Sequence, residues 1–443
     1  MIRNHKNKIS RRSVITGAGV TAGFMILPSA MLADGKSGSN SKLNVACIGV
    51  GGMGGRDTGY MLRHEKVVAF CDIDDDRAKH HFGKNPEIPR FKDYRKMFDK
   101  LGDSIDAVTV SIPDHMHYHV AMAAIERGKH VYVQKPVVQT IDQGRKLLEA
   151  AGKHKVKTQM GNQGHSSEAT RNVYEWVRSG IIGKVREVKC WTNRPVWPQG
   201  MKELPKGQPV PSHMDWKLWL GPTCDYEYNE AYAPFKWRGW YAFGCGALGD
   251  MACHIMDAAC WALDLKQPEA IKGETKNSSK VAFPWKSTVT YEFPARGEMP
   301  PVELTWYDKG KPERPKELKK ERKMGNNMGG SLIIGDEAII MTDSHCGSAT
   351  IIPEDKMKEL RPKLPPKTLP RIKGGHYHNW IQACKGKIDQ SCSNFEYAVP
   401  FNEVVLLGAI AQRCPGQRLE WDGKKFKDNE EADYLVHTAV PKL

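Results

Sequence analysis

Paired cysteines are missing from this chain. Its eleven cysteines form no CxxC motif, and none has a Cys or His neighbour at zinc spacing, which argues against a structural metal. The odd count argues against a complete disulfide framework. Cys47, Cys71, Cys253 and Cys260 lie inside apolar stretches, where a free thiol behaves as a small buried hydrophobe. Also missing, beyond the extreme N-terminus, is any run of 18 apolar residues, so a polytopic membrane protein is excluded. Acidic residues are absent before Asp34, whereas Arg3, Lys6, Lys8, Arg11 and Arg12 all precede it and supply part of the formal charge of +15. Much of the remaining excess sits in residues 309–323, which hold eight basic and three acidic residues. A solvated loop is the simpler reading there and the rim of an anionic ligand the sharper one. The charge therefore gives no support for a nucleic-acid partner. With 40% hydrophobic and 26% charged residues, the 443-residue chain suits two or three cored domains, not a disordered polymer.

Residues 10–33 place a basic pair, Arg11-Arg12, before a weakly apolar stretch rich in Gly, Ala and Thr that ends in small residues at Ala33. This resembles a twin-arginine export signal. It assigns 1–33 to a signal peptide, 34–41 to a linker and the mature protein to the periplasm. An uncleaved membrane anchor is the competing reading, because Met31 is a poor residue three before a cut after Ala33.

Residues 43–50 (LNVACIGV) form a short apolar run that reads as a buried parallel strand. It leads into Gly49-Val50-Gly51-Gly52-Met53-Gly54. In a strand-to-helix turn, the first glycine permits the bend, the second admits a pyrophosphate, and the third lets helix pack on strand. Gly49, Gly51, Gly52, Met53 and Gly54 are therefore cofactor candidates. A second strand at 66–70 ends at Cys71-Asp72, where a carboxylate can bind the adenosine ribose hydroxyls and repel a 2′-phosphate, favouring NAD over NADP. A helix at 94–101, a strand at 107–112, a helix at 117–127 and a strand at 130–133 continue the alternation. The implied architecture is α/β, with a doubly wound sheet over 42–162. Its ligand lies beyond the strands' carboxyl ends, near Ser111, Pro113, Asp114 and Gln134–Pro136.

The GVGGMG turn, His117 eleven residues before Gly128-Lys129-His130-Val131, and Gln134-Lys135-Pro136 together resemble the Gfo/Idh/MocA family of nicotinamide-dependent sugar oxidoreductases. The resemblance implies that Lys135 faces substrate and nicotinamide across a cis Lys-Pro peptide, and that Ser111, Pro113, His117 and Gln134 line the cofactor site. Family members usually read Glu-Lys-Pro, so Gln134 removes a carboxylate beside the lysine. Asp250-Met251-Ala252-Cys253-His254 matches the family's Asp-x-x-x-His helix; the spacing of four puts both side chains on one face, where Asp250 can orient His254.

Six tryptophans fall between Trp191 and Trp240. Most suit a core, but sugars stack on aromatic rings, which makes Trp197, Trp237, Arg238 and Tyr241 substrate candidates. Strands at 185–193, 287–293, 302–307, 331–334 and 349–352 fit the large, mainly antiparallel sheet that the resemblance implies for residues 163–443. The open face of that sheet is often a subunit contact, so a homo-oligomer is expected. Helices start at His376 and Glu396 and lead back toward the first domain. The His376/His378 pair, without carboxylate or Cys company, reads as a helix start and not as a metal site.

The expected activity is NAD-dependent hydride transfer from a saccharide or glycoside hydroxyl carbon to a tightly bound cofactor. His254 takes the proton, Asp250 assists and Lys135 steadies the alkoxide. The alternatives are a redox-neutral glycosidase or lyase cycle and a non-catalytic sugar-binding protein.

Overall fold

A computed structural model describes residues 42–223 and 225–440; the signal peptide and linker expected over 1–41 lie outside the described residues. The early apolar runs become β1 (Asn44–Ile48), β2 (Lys66–Cys71), β3 (Arg90–Phe91), β4 (Ala107–Val110), β5 (His130–Val133) and β6 (Thr158–Met160). They form one parallel sheet in the order β3-β2-β1-β4-β5-β6. All four residues of β4 are buried, as expected of a strand covered on both faces. The crossovers are α1 (Gly52–His64), α2 (Asp75–Lys84), α3 (Tyr94–Leu101), α4 (Asp114–Ile125) and α5 (Ile141–His154). Asp74, Asp93 and Thr140 cap α2, α3 and α5 by accepting backbone N–H groups. The helix expected from 117 starts earlier, at Asp114, because Pro113 occupies its N-cap and has no N–H to leave unpaired.

Downstream, β7 (Val185–Thr192), β8 (Ala270–Lys276), β9 (Lys286–Phe293), β10 (Val302–Asp308), β11 (Gly329–Gly335), β12 (Ile339–Asp343), β13 (Ala349–Ile352) and β14 (Arg418–Glu420) form a second sheet. Its order is β13-β12-β11-β7-β10-β9-β8-β14, and β7 with β10 is its one parallel pair among the described residues. The inner face packs on α6 (Glu168–Arg178), α8 (Gly246–Ile255), α9 (Asp257–Leu263) and α12 (Phe395–Ala411). A short α7 (Trp216–Leu220) lies in the tryptophan-rich segment, where Trp216, Trp219, Tyr232, Trp240 and Phe243 build a separate aromatic core. On the outer face, Trp191, Leu332, Ile339 and Met341 are covered by Leu318 and Met324. The basic stretch 309–323 is thus anchored by one buried leucine, and it hides part of the face that suggested a subunit contact. The rest of that face is polar, with Arg418 bridging to Glu292 at 2.6 Å.

Past α10 (Glu354–Leu360), α11 (Gly375–Cys384) returns to the first sheet: Tyr377, Trp380 and Ile381 share a core with Val45, Phe70 and Tyr132. Trp380 is fully buried, and truncating such an indole typically costs about 3–5 kcal/mol. His376 begins α11 with its ring nitrogens 2.6 Å from Ser166 Oγ and 2.7 Å from the Met160 carbonyl. α13 (Glu430–His437) closes the described chain.

Candidate active site

The carboxyl ends of β1, β2, β4 and β5 open onto one cleft of about 1300 Å³, which runs from the glycine turn to Asp250 and His254 on α8. Gly49 has φ +78°, and a Cβ there would collide with the Ser111 carbonyl; a Cβ on Gly54 would collide with the Gly49 carbonyl. Both positions therefore exclude any larger residue. Gly51 caps α1 without a side-chain hydrogen bond, so the first-turn N–H groups remain available to an anion. The turn is a cradle that fits a pyrophosphate. Asp72 follows β2, with its carboxylate accepting from Val50 N–H at 2.8 Å and Asp74 N–H at 3.1 Å, while burial pushes its pKa up. This holds one carboxylate at the β2 end of the cradle. Gly52, Met53, Ser111 and Pro113 also line the cleft.

Beneath the turn lies Asp57, a fully buried carboxylate on α1. It accepts from Ser111 Oγ at 2.6 Å, Gln134 Nε2 at 2.8 Å and Tyr377 Oη at 2.6 Å. Burial raises its pKa and the three donors oppose the rise. Gln134 is thus paired with Asp57. Lys135 finds its carboxylate elsewhere.

The Lys135–Pro136 peptide is cis, and Lys135 Nζ donates to both the Asp250 carbonyl and Asp250 Oδ1 at 2.7 Å. Two further cations reach the same carboxylate: Arg238 Nε at 3.3 Å and Arg194 Nε at 3.5 Å. These charges hold the Asp250 carboxyl below the usual range in spite of its burial. Here the structure corrects the expectation that Asp250 orients His254. The carboxylate is committed to three cations, and His254 Nδ1 is buried without a hydrogen-bond partner. His254 instead packs against His345 in a tilted pair, with ring centroids 4.4 Å apart. Burial and then the Lys135 ammonium push its pKa well below the ordinary imidazole value, disfavouring the charged ring.

Three expected site residues do not face the cleft. His117 is buried with its ring nitrogens 2.7 Å from the Pro136 carbonyl and 2.8 Å from the Ile112 carbonyl; it braces the lysine's loop from behind. Tyr241 is buried under Arg413 and donates its hydroxyl to the Ser279 carbonyl. Trp197 donates its indole N–H to Gln199 Oε1 and lies behind Arg238. Trp237 and Arg238 do line the cleft.

Sequence reasoning missed Arg194, His345 and the role of Asp57, and it named Asp114 only as a position. Asp114 is buried beside Lys135 and Arg238, and burial pushes its pKa up to about 7. Its signal was its place just past β4. Asp57, three residues after Gly54 on a helix that packs against the sheet, was also findable. Nothing local marks Arg194 or His345, which come from segments after β7 and β12.

The family model described as "Oxidoreductase family, NAD-binding Rossmann fold" matches residues 43–162, and its companion, "C-terminal alpha/beta domain", matches 168–296. A levoglucosan dehydrogenase of Pseudarthrobacter phenanthrenivorans is 24% identical over 168 residues, covering 38% of this chain and 35% of that protein. A glycosyl hydrolase family 109 protein of Solibacter usitatus is 29% identical over 161 residues, covering 33% and 36%. The chain thus spans about a third of the length of these curated relatives. Among solved structures, the WlbA dehydrogenase of Chromobacterium violaceum in complex with NADH and UDP-GlcNAcA superposes with a TM-score of 0.60 at 16% identity, covering 87% of this chain and 97% of its own. That likeness concerns the fold. The two family models follow one another over more than half of the residues, and the chain belongs to the Gfo/Idh/MocA oxidoreductase family.

Proposed function

We propose that this protein transfers a hydride between a hydroxyl-bearing carbon of a saccharide or glycoside and a tightly held NAD. The observation that carries the reading is the Lys135–Asp250 pair at 2.7 Å, with His254, on the wall of the cleft that begins at the glycine cradle. Gly49, Gly51 and Gly54 would hold the pyrophosphate, and Asp72 the adenosine ribose in preference to a 2′-phosphate. When bound, the nicotinamide supplies a hydride acceptor at C4. Neutral His254 takes the proton from the substrate hydroxyl. Two of the three Lys135 N–H donors are committed to Asp250, which leaves one to stabilise the developing alkoxide. The names of the relatives, levoglucosan dehydrogenase among them, and the sugar nucleotide bound by the superposing dehydrogenase support a saccharide substrate.

A redox-neutral glycosidase cycle is the second reading, supported by the family 109 glycosyl hydrolase relative. Its weakness is local: that branch carries Tyr-Pro-Thr-His-Gly near the catalytic helix, where this chain reads Phe243-Gly244-Cys245-Gly246. The Arg11-Arg12 segment adds export to the proposal, with the cofactor carried in the folded protein and regenerated in place. A homo-oligomer built through the second sheet would use its polar β8–β9–β14 end, clear of Leu318.

The test is incubation of the purified protein with a panel of sugars and glycosides, following nicotinamide absorbance and product masses. Formation of a keto-sugar with reduction of bound cofactor is expected. Glycoside cleavage without net reduction would favour the second reading, and absence of both would remove the proposal.

A further inference from the structure

The saccharide end of the cleft is not electrically balanced. Lys135, Arg194 and Arg238 surround one carboxylate, Asp250. Even with neighbouring Asp114 ionised, cations outnumber carboxylates by one, and an oxidised nicotinamide would add a further positive charge. Partly buried charge of one sign is costly unless it is paired.

The two arginines are also under-used. Three other Arg–carboxylate pairs in this chain are two-pronged and short. Arg371 donates to Glu175 through both terminal nitrogens at 2.7 Å. Arg145 donates to Glu403 at 3.1 and 2.6 Å, and Arg418 to Glu292 at 3.0 and 2.6 Å. At Asp250 the nearest guanidinium nitrogen is Nε in both cases, at 3.3 and 3.5 Å, with no hydrogen bond formed, and Arg194 Nε is buried without a hydrogen-bond partner. Arg238 is held by ring faces, 4.1 Å from the Trp237 centroid. Among the described residues its terminal nitrogens make no hydrogen bond, and Asp114 is the neighbouring carboxylate. Arg194 spends one terminal nitrogen on Asn193 Oδ1 and rests the other near Met328 Sδ. A planar fork held from behind, as Arg238 is, and a second whose terminal nitrogens hold only an amide oxygen and a thioether, suit an incoming carboxylate better than a neutral hydroxyl. A single ammonium, Lys135, already serves the alkoxide.

We infer that the substrate carries a carboxylate, as a uronic acid or uronoside does, and that Arg194 and Arg238 bind it. This rests on the reading of the cleft as a saccharide site. The test uses the purified protein with its bound nicotinamide and compares methyl glucuronoside, methyl glucoside and glucose 6-phosphate. Calorimetry reads binding, and nicotinamide absorbance reads turnover. The uronoside is expected to bind at least ten-fold tighter than the glucoside and to reduce the cofactor with the highest kcat/KM. Arg194→Gln and Arg238→Gln should each lower the uronoside-to-glucoside ratio ten-fold or more. Cofactor occupancy reports whether these variants are folded, and the ligand comparison in unsubstituted protein stands without them. Equal or tighter glucoside binding, preference for the sugar phosphate, or an unchanged ratio in folded variants would overturn the inference. Reduction by glucoside but not by uronoside would do so while keeping the dehydrogenase. Tight uronoside binding with no reduction by any sugar would keep the anion site and remove the dehydrogenase.

Discussion

Gln134 donates its amide to the Asp57 carboxylate at 2.8 Å, and this bond accounts for the missing carboxylate beside Lys135. A glutamate at 134 would face a second buried carboxylate, and one of the two would have to take up a proton. Gln134→Glu is therefore expected to destabilise the protein by about 2–4 kcal/mol and to lower cofactor occupancy. Asp57→Asn in the same chain should recover a large part of the loss. Chemical denaturation of the four proteins in the cycle measures this; strictly additive effects would mean that the two residues do not interact.

Asp250 holds Lys135 and two arginines, so its replacement does more than misplace a histidine. Asp250→Asn should slow reduction of bound nicotinamide by about 10² or more, the scale also expected for His254→Ala and Lys135→Ala. It should also cost about 3 kcal/mol in stability, because buried cations lose their counter-charge. Transient absorbance at the nicotinamide band, beside denaturation curves, checks both halves. A mild Asp250→Asn phenotype would return that residue to a purely orienting role.

The purified protein is expected to carry NAD(H), and Asp72→Ala to weaken its discrimination against NADP. Asp72 is the carboxylate at the β2 end of the cradle, and Arg77, next to it on the cleft wall, could then take up a 2′-phosphate. Acid extraction and identification of the nucleotide decide the first point. Equilibrium dialysis of the variant against both cofactors decides the second.

Asp114 makes a prediction about pH. Its folded pKa is raised by burial to about 7 from an ordinary 3.8, so between those values the folded state binds more protons than the unfolded one. Its contribution to stability is present below pH 4 and is lost as pH rises toward 7. Asp114→Asn should flatten that part of the curve and leave the acid side little changed. Melting temperatures from pH 4 to 8 for the two proteins test it; parallel curves would contradict it.

The legible parts were those written locally. β1, β2, β4 and β5 are continuous apolar runs ended by turn residues, and the glycine turn and the Asp250/His254 spacing each fall within one element. β8 was passed over because AIKGETK alternates polar residues around Gly273, as an edge-facing strand does and a turn also can. The partner of Asp250 is illegible for a different reason. Helical spacing brings His254 near, but an imidazole competes poorly with ammonium and guanidinium groups carried in by the segment after β7, the loop after β5 and the tryptophan-rich segment. Tyr241 and Trp197 could not be told from Trp237, since aromatic residues of a core and of a binding wall look alike in sequence.

The return of α11 to the first sheet bears on how the chain is made. Tyr132 waits for Tyr377 and Trp380 to cover it, and Asp57 waits for the Tyr377 hydroxyl, a separation of 320 residues. The nucleotide half cannot finish folding on the ribosome when residue 162 emerges; its Tyr132 flank stays uncovered until most of the polypeptide has been synthesised. Such long-range closure is slow and leaves the nascent chain prone to aggregation. A premature stop anywhere before α11 should therefore release a fragment that chaperones retain or proteases destroy, not a free-standing nucleotide-binding domain.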